Sequence, residues 1–311
     1  MHTTSETGRI TIPWPYLTRL PEKVALYNSD VEFRYSFGLL YQMDPKALNE
    51  FLSEYGIIVL KPETFFARRA LLAISFLKQH GYDVRHVLYL ELSANIAANI
   101  WRYSLNIATI DRLILLLGVL TQRPALAMIV RRKHKDERPC TTSLSKLKGS
   151  SLILDRDENT LRGLLAGPNP YLNYVHTADE PADLIRELPT WFGFDSVKSV
   201  VTNVLGNESV SFDEELRHIY SQIPESDMNP AQAARRMIDR FREEDGDIAE
   251  HIDYILKDDN EFMDIKLVLS HKFKVNYADT FDLYLMLSEY IDHIDPTRIR
   301  SAGNKLSHML W

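Results

Sequence analysis

His176 is one histidine among 10 in the chain, and by type alone it would be structural or solvent-facing. Its side-chain chemistry is nonetheless specific. A neutral imidazole nitrogen can attack a terminal phosphoryl group, hold it as phosphohistidine and pass it to a second acceptor. Attention falls on this histidine because of the order of residues around it. An apolar run ends in Lys61-Pro62, a polar stretch carries Arg162-Gly163, Asn173 lies three residues before His176, and Glu187 follows ahead of Trp191-Phe192. Cationic side chains of this kind can neutralise phosphate oxygens as charge spreads in a transition state.

That order and spacing resemble the nucleoside diphosphate kinase family. The matching segments are LKPE, TLRG and NYVH, a glutamate eleven residues after the histidine, and the closing Trp-Phe pair. PALAMIV also looks like the family's central strand, and Gly149 to Ser151 like its Gly-acidic-Thr turn. The resemblance covers residues 56–194. It implies that the γ-phosphoryl group of ATP moves through His176 to a nucleotide or a specialised small-molecule acceptor. By the same resemblance Glu187 orients the imidazole, Lys61 and Arg162 neutralise phosphate oxygens, and Ser151 adds a hydrogen bond. Asn173 contacts a ribose hydroxyl and Lys61, and Tyr103 faces phosphate if the preceding helix slips by one residue. Magnesium would arrive with the nucleotide, because the sequence shows no carboxylate cage, and no metal site is assigned to the protein itself. Family members commonly assemble into multimers, which implies a homo-oligomer.

Departures from the pattern are equally specific. Thr177-Ala178 stands where the family has Gly-Ser, whose serine steadies the glutamate; Thr177 is then the candidate support. Ser145 falls near the family's second phosphate-binding arginine, with Lys146 and Lys148 as substitutes. Arg112 falls near its base-stacking phenylalanine, and Glu63-Thr64 replaces an Asp-Gly turn. Two further readings therefore stand beside the enzyme: a catalytically weak nucleotide-binding or regulatory module whose C-terminal helices bind a partner, and a domain serving only oligomerisation.

The elements that must position these residues are legible as patterns. GIIVLKP reads as a strand stopped by Pro62, ETFFARRALLAISFLKQHG as a helix ended by Gly81, and VRHVLYLEL and PALAMIVRR as strands around a helical stretch. TTSLSKLKGSS reads as a short helix, DRDENTLRG as a polar loop, YLNYVH as a strand, and DEPADLIRELPTWFG as a helix ended near Pro189. This alternation predicts an α/β (α+β) fold, a ferredoxin-like sandwich whose antiparallel sheet is covered by helices on one face. Before it, VEFRYSFGLLYQM reads as a strand or hairpin and DPKALNEFLSEYG as a capped helix. Beyond Asp195 the pattern is helical throughout. The expected organisation is an N-terminal extension over 1–55, the kinase-like domain over 56–194 and an all-helical C-terminal domain over 195–311.

With 311 residues, 36.0 kDa and 45% hydrophobic content, the chain has material for more than one core. The net charge of -7 provides no general attraction to nucleic acid or anionic membrane, and neither is expected as a partner. Cys140, the only cysteine, allows no intramolecular disulfide. The N-terminus lacks the basic start and apolar core of a secretory signal, and the run from Ile110 to Val119 is too short to span a bilayer. A cytoplasmic location is expected. RRKHKDERP and DRDEN read as solvated loops. His251, His271, His293 and His308 lack tight metal-ligand spacing, and the acidic amphipathic runs HIDYILKDDNEF and LSEYIDHID could pack on the kinase-like domain, cap its site or pair with another chain.

Overall fold

In the computed structural model, residues 11–106, 108–206, 210–244, 246–257 and 277–290 are described. The helical readings of KLVLSHKF and PTRIRSAGNKLSHML, with His271, His293 and His308, lie outside these residues.

Near-continuous apolar side chains along two strands create a sheet that must be buried on both sides. β1 (Tyr55–Leu60) pairs antiparallel with β3 (Ala125–Arg132), placing Ile57 opposite Ile129 and Val59 opposite Ala127. β2 (Tyr82–Leu90) extends the sheet beyond β3, with a register irregularity between Val84 and His86. β4 (Val175–Thr177) closes the other edge against β1, with His176 opposite Val59. The order is β2-β3-β1-β4, antiparallel throughout.

Helices α1 (Trp14–Leu17), α2 (Pro21–Tyr27), α3 (Val31–Leu40) and α4 (Pro45–Glu54) precede β1. α5 (Pro62–Phe66) and α6 (Ala70–Gln79) lead to β2; α7 (Ala94–Ile100), α8 (Arg102–Leu105) and α9 (Ile110–Gln122) lead to β3. α10 (Cys140–Lys148) and α11 (Leu161–Leu165) connect β3 to β4, and α12 (Pro181–Phe192) follows it. Beyond lie α13 (Val197–Gly206), α14 (Asp213–Gln222), α15 (Pro230–Glu244), α16 (Gly246–Ile255) and a helix over Tyr277–Tyr290.

The crossover helices α6 and α10 pack on one face, their Ala73, Ile74, Leu77 and Leu144 joining Ile58, Leu60, Met128 and Val130 in one core. This strand order with both crossovers on one side is the split β-α-β arrangement of a ferredoxin-like sandwich. The expectation of helices on one face only is corrected. Ile57, Val59, Ala127 and Ile129 point the other way and are covered by α3, α4, α12 and α13. Leaving that face wet would forfeit about 1.5–3 kcal/mol for each large aliphatic side chain. The C-terminal helices share the first core: Met237 and Phe241 of α15 belong to it, and Phe281 stacks on Phe66 with ring centroids 3.7 Å apart.

Local readings differ from the structure at five places. Residues 31–40 form a helix rather than a strand, because Asp30 accepts from Phe33 N–H at 2.8 Å and Phe33, Phe37 and Leu40 recur at helical spacing on the buried side. The segment after Pro62 is two helices, parted where Arg68 takes a positive φ of 55°. Thr160 caps a short helix within the expected polar loop, its hydroxyl accepting from Gly163 N–H. Only the end of YLNYVH is strand, since Asn169 Oδ1 accepts from Tyr171 and Leu172 N–H and turns the chain there. Pro189 lies inside α12, which continues to Phe192 because Leu188 and Trp191 remain buried.

Candidate active site

Val175 faces the core beneath α6 and α10, so strand alternation turns His176 toward the opposite face, where α12 packs. On α12, Glu187 and Trp191 are one helical turn apart and share a stripe. Glu187 Oε2 lies 2.8 Å from His176 Nε2, and Trp191 Nε1–H donates to that same oxygen at 3.1 Å. A carboxylate can only accept, so in the neutral ring Nε2 carries the proton and Nδ1 keeps its lone pair. Among the described residues no other group hydrogen-bonds this imidazole. The Trp101 ring meets it edge-on at 5.2 Å.

The histidine opens into a cavity of about 280 Å³. All seven residues singled out from the sequence line it: Lys61, Tyr103, Ser151, Arg162, Asn173, His176 and Glu187. Their engagements differ. Lys61 is the N-cap of α5, its backbone N–H donating to Tyr174 O at 2.9 Å. Its ammonium lies 2.6 Å from Glu63 Oε1 and donates to Tyr171 O at 3.2 Å. Burial lowers the Lys61 pKa, against the pull of Glu63. Arg162 of α11 donates to Gly149 O at 3.2 Å, to Asn173 Oδ1 at 3.3 Å and to Val175 O at 3.0 Å. Burial brings its pKa down to about 10. Asn173 is held in turn by its amide donating to Pro170 O at 2.7 Å.

Gly149 makes this arrangement possible. Its φ of 81° and ψ of 177° lie in a region essentially reserved for glycine, and a Cβ there would collide with Thr160 Oγ1. Ser151 forms part of the wall, its carbonyl accepting from Arg156 at 3.0 Å. Tyr103 donates its hydroxyl to Asp30 at 2.7 Å, and burial together with that bond pushes its pKa up to about 12. The tyrosine thus faces the cavity with its polar end committed to α3.

The support sought from Thr177 comes from elsewhere. Thr177 Oγ1 is buried without a hydrogen-bond partner, and the indole of Trp191 steadies Glu187 instead. Lys148, not Lys146, lines the cavity; it donates to Asp179 at 2.8 Å, as does Ser145 at 2.5 Å.

Several lining residues carry no motif and were missed. Lys23 of α2 donates to Glu180 at 2.8 Å and to Asp183 at 2.6 Å, and Tyr27 donates to Asp183 at 2.6 Å. Thr18 Oγ1 and Arg19 N–H donate to Glu180 at 2.5 and 2.9 Å, tying the N-terminal segment to the start of α12. Arg186 pairs with Asp30 at 2.9 Å. The one available signal was the Glu180-Pro-Ala-Asp183 run, a helix-start pattern in which Asp183 accepts from Glu180 N–H at 2.9 Å. The cavity is therefore lined by Lys23, Lys61, Arg112, Lys148, Arg162 and Arg186, interleaved with Glu63, Asp179, Glu180, Asp183 and Glu187. Among the described residues no group of three or more His, Cys, Asp or Glu side chains is placed to hold a metal ion.

No protein-family profile and no curated protein matches the chain. Solved structures that resemble it include the nucleoside diphosphate kinase of Encephalitozoon cuniculi, at 20% identity over 52% of this chain and 97% of that one, with a TM-score of 0.40. Those of Aquifex aeolicus (15% identity, 45% and 94% covered, TM-score 0.38) and Pyrobaculum aerophilum (18% identity, 45% and 95% covered, TM-score 0.37) are similar too. Among the described residues no helix is long and apolar enough to cross a membrane.

Proposed function

We propose that the cavity binds a nucleotide and that His176 accepts its terminal phosphoryl group, passing it to a nucleotide or small-molecule acceptor. The observation that carries this reading is the imidazole fixed by Glu187 at 2.8 Å with Nε2 engaged, which leaves Nδ1 as the nucleophile in a cavity lined by lysines and arginines. Attack by the Nδ1 lone pair forms the N–P bond as the bond to the leaving diphosphate oxygen breaks. The developing imidazolium charge is met by Glu187. Lys61, Arg162 and Lys148 neutralise phosphate oxygens as charge spreads over them. Magnesium belongs to the substrate here, since phosphate oxygens supply its ligands.

A second reading, nucleotide binding without transfer, is favoured by one observation. The lysines of the cavity are already engaged by carboxylates, Lys61 by the buried Glu63 and Lys148 by the half-exposed Asp179, so a phosphate must compete for them. Incubation of wild-type and His176→Ala protein with γ-labelled ATP and magnesium, followed by alkaline electrophoresis that preserves phosphohistidine, separates the two. Label on the wild type, absent from the mutant and chased by nucleoside diphosphates, is the outcome expected for transfer. Nucleotide binding with no label on either protein would leave the second reading standing.

A further inference from the structure

Arg112 differs from the other cations of the cavity. Lys23, Lys61, Lys148 and Arg186 each meet a carboxylate within 3 Å, and Arg162 is spent on two carbonyls and Asn173. The Arg112 side chain makes no hydrogen bond or ion pair among the described residues, although the residue is only 7% exposed and its Nε is fully buried without a partner. Its one contact of note is the Tyr171 ring, with the guanidinium carbon 4.9 Å from the centroid. Its terminal N–H donors, on a residue that lines the cavity, are left without a protein acceptor. Burial accordingly lowers its pKa.

The surroundings limit what could satisfy it. Leu116, one turn along α9, and Leu105 of α8 line the same cavity, so the space beside Arg112 has apolar walls. A small hydrated anion would be stripped of water there, whereas a flat ring with acceptors on one edge would bury its faces and meet the donors. The Tyr171 ring, against the guanidinium carbon, adds a cation–π contact on one side. Guanine offers O6 and N7 as paired acceptors, which an arginine engages bidentately; adenine offers a donor, its amino group, in place of O6.

We infer that Arg112, held on Tyr171, makes the site selective for guanine nucleotides over adenine nucleotides. The inference rests on the nucleotide reading above. It does not require phosphoryl transfer.

Titration calorimetry with GDP, IDP, ADP and inorganic pyrophosphate, on wild type, Arg112→Met and Arg112→Lys, tests it. Inosine keeps O6 and N7 without the guanine amino group, so the inference expects GDP and IDP to bind wild type more tightly than ADP, on the order of 10-fold. Both variants should lose that preference through weaker GDP and IDP binding while ADP holds, the lysine because a point charge cannot replace the planar fork. Urea unfolding confirms that each variant is folded. Equal binding of ADP and GDP to wild type would overturn the inference alone, as would a preference that survives in both variants. If Arg112→Met weakens all four ligands alike, the arginine holds phosphate and the base-reading role is refuted. Failure of every nucleotide to bind wild type would remove the nucleotide reading, and this inference with it.

Discussion

Trp191→Phe isolates one hydrogen bond of the candidate active site. The substitution keeps a buried aromatic ring, in a residue 3% exposed, and removes the N–H that meets Glu187 Oε2 at 3.1 Å. That oxygen then has only His176 as a partner, and the carboxylate is free to swing about its last torsion. Hydrogen bonds to charged groups contribute about 1.5–3 kcal/mol. If that constraint is what aligns the imidazole, its loss slows phosphoryl transfer by about 10- to 100-fold, since 1.36 kcal/mol is a factor of ten in rate. The assay is a single turnover with saturating γ-labelled ATP, following phosphohistidine at His176, with nucleotide affinity measured separately by equilibrium dialysis. Affinity should stay near wild type, because Trp191 does not line the cavity. Glu187→Gln, which keeps an acceptor and loses the charge, should fall at least as far. A Trp191→Phe rate within about twofold of wild type, beside a slow Glu187→Gln, would show that the indole N–H orients nothing.

Glu63→Gln should release Lys61 from its 2.6 Å ion pair and tighten pyrophosphate binding, by roughly 10-fold if one charged hydrogen bond is regained; calorimetry that finds unchanged or weaker binding sinks this account of the lysine. Gly149→Ala places a side chain where only glycine is comfortable and against the Thr160 cap of α11, so it should cost about 1–3 kcal/mol in urea unfolding and weaken nucleotide binding through Arg162. Acid should destabilise the start of α12. Partial desolvation raises the pKa of the half-exposed Asp179, but the Lys148 ammonium more than offsets this and holds it below the usual carboxylate range; Glu180 is held low by Lys23 against its own burial, and Asp30 by Arg186. These groups bind fewer protons folded than unfolded, so their stabilisation is complete above the ordinary carboxylate pKa near 4 and is lost as pH falls through the lower folded values. Asp183, pushed up by burial, works against the trend but is one group against three. Urea midpoints that do not fall below about pH 4 would contradict this.

The sandwich could be read from the sequence where a strand's period and stops agreed. Tyr55–Leu60 and Ala125–Arg132 are continuous apolar runs bounded by breakers, and α10 carries its own helical pattern. Where tertiary contacts chose between periods, the reading failed. Residues 31–40 hold β-favouring Val, Phe and Tyr, and only Asp30, fixed by Arg186 and Tyr103 as well as by Phe33 N–H, resolves them as a helix. The site divides the same way. Lys61, Arg162, Asn173, His176 and Glu187 follow an order that the chain displays, and all line one cavity. The ion pairs of the surrounding wall do not. Lys23 and Glu180 lie 157 positions apart, with no local pattern to connect them. Trp191 was visible as part of a closing pair, one helical turn from Glu187, but that the oxygen it holds also meets His176 depends on how α12 faces β4.

The distribution of charge implies how a ligand is held. A phosphate entering beside Lys61 or Lys148 gains a cation only as Glu63 or Asp179 gives one up, so its net benefit is the difference between two ion pairs. Arg162 offers little more, because its donors already fix Gly149, Asn173 and Val175. Arg112 has no such exchange to make. If the cavity binds a nucleotide as proposed, its phosphates find alignment at His176 but limited affinity, and the part of the ligand that reaches Arg112, Tyr171 and the leucine walls sets how tightly it binds. The cavity then discriminates among ligands by their bodies more than by their charge.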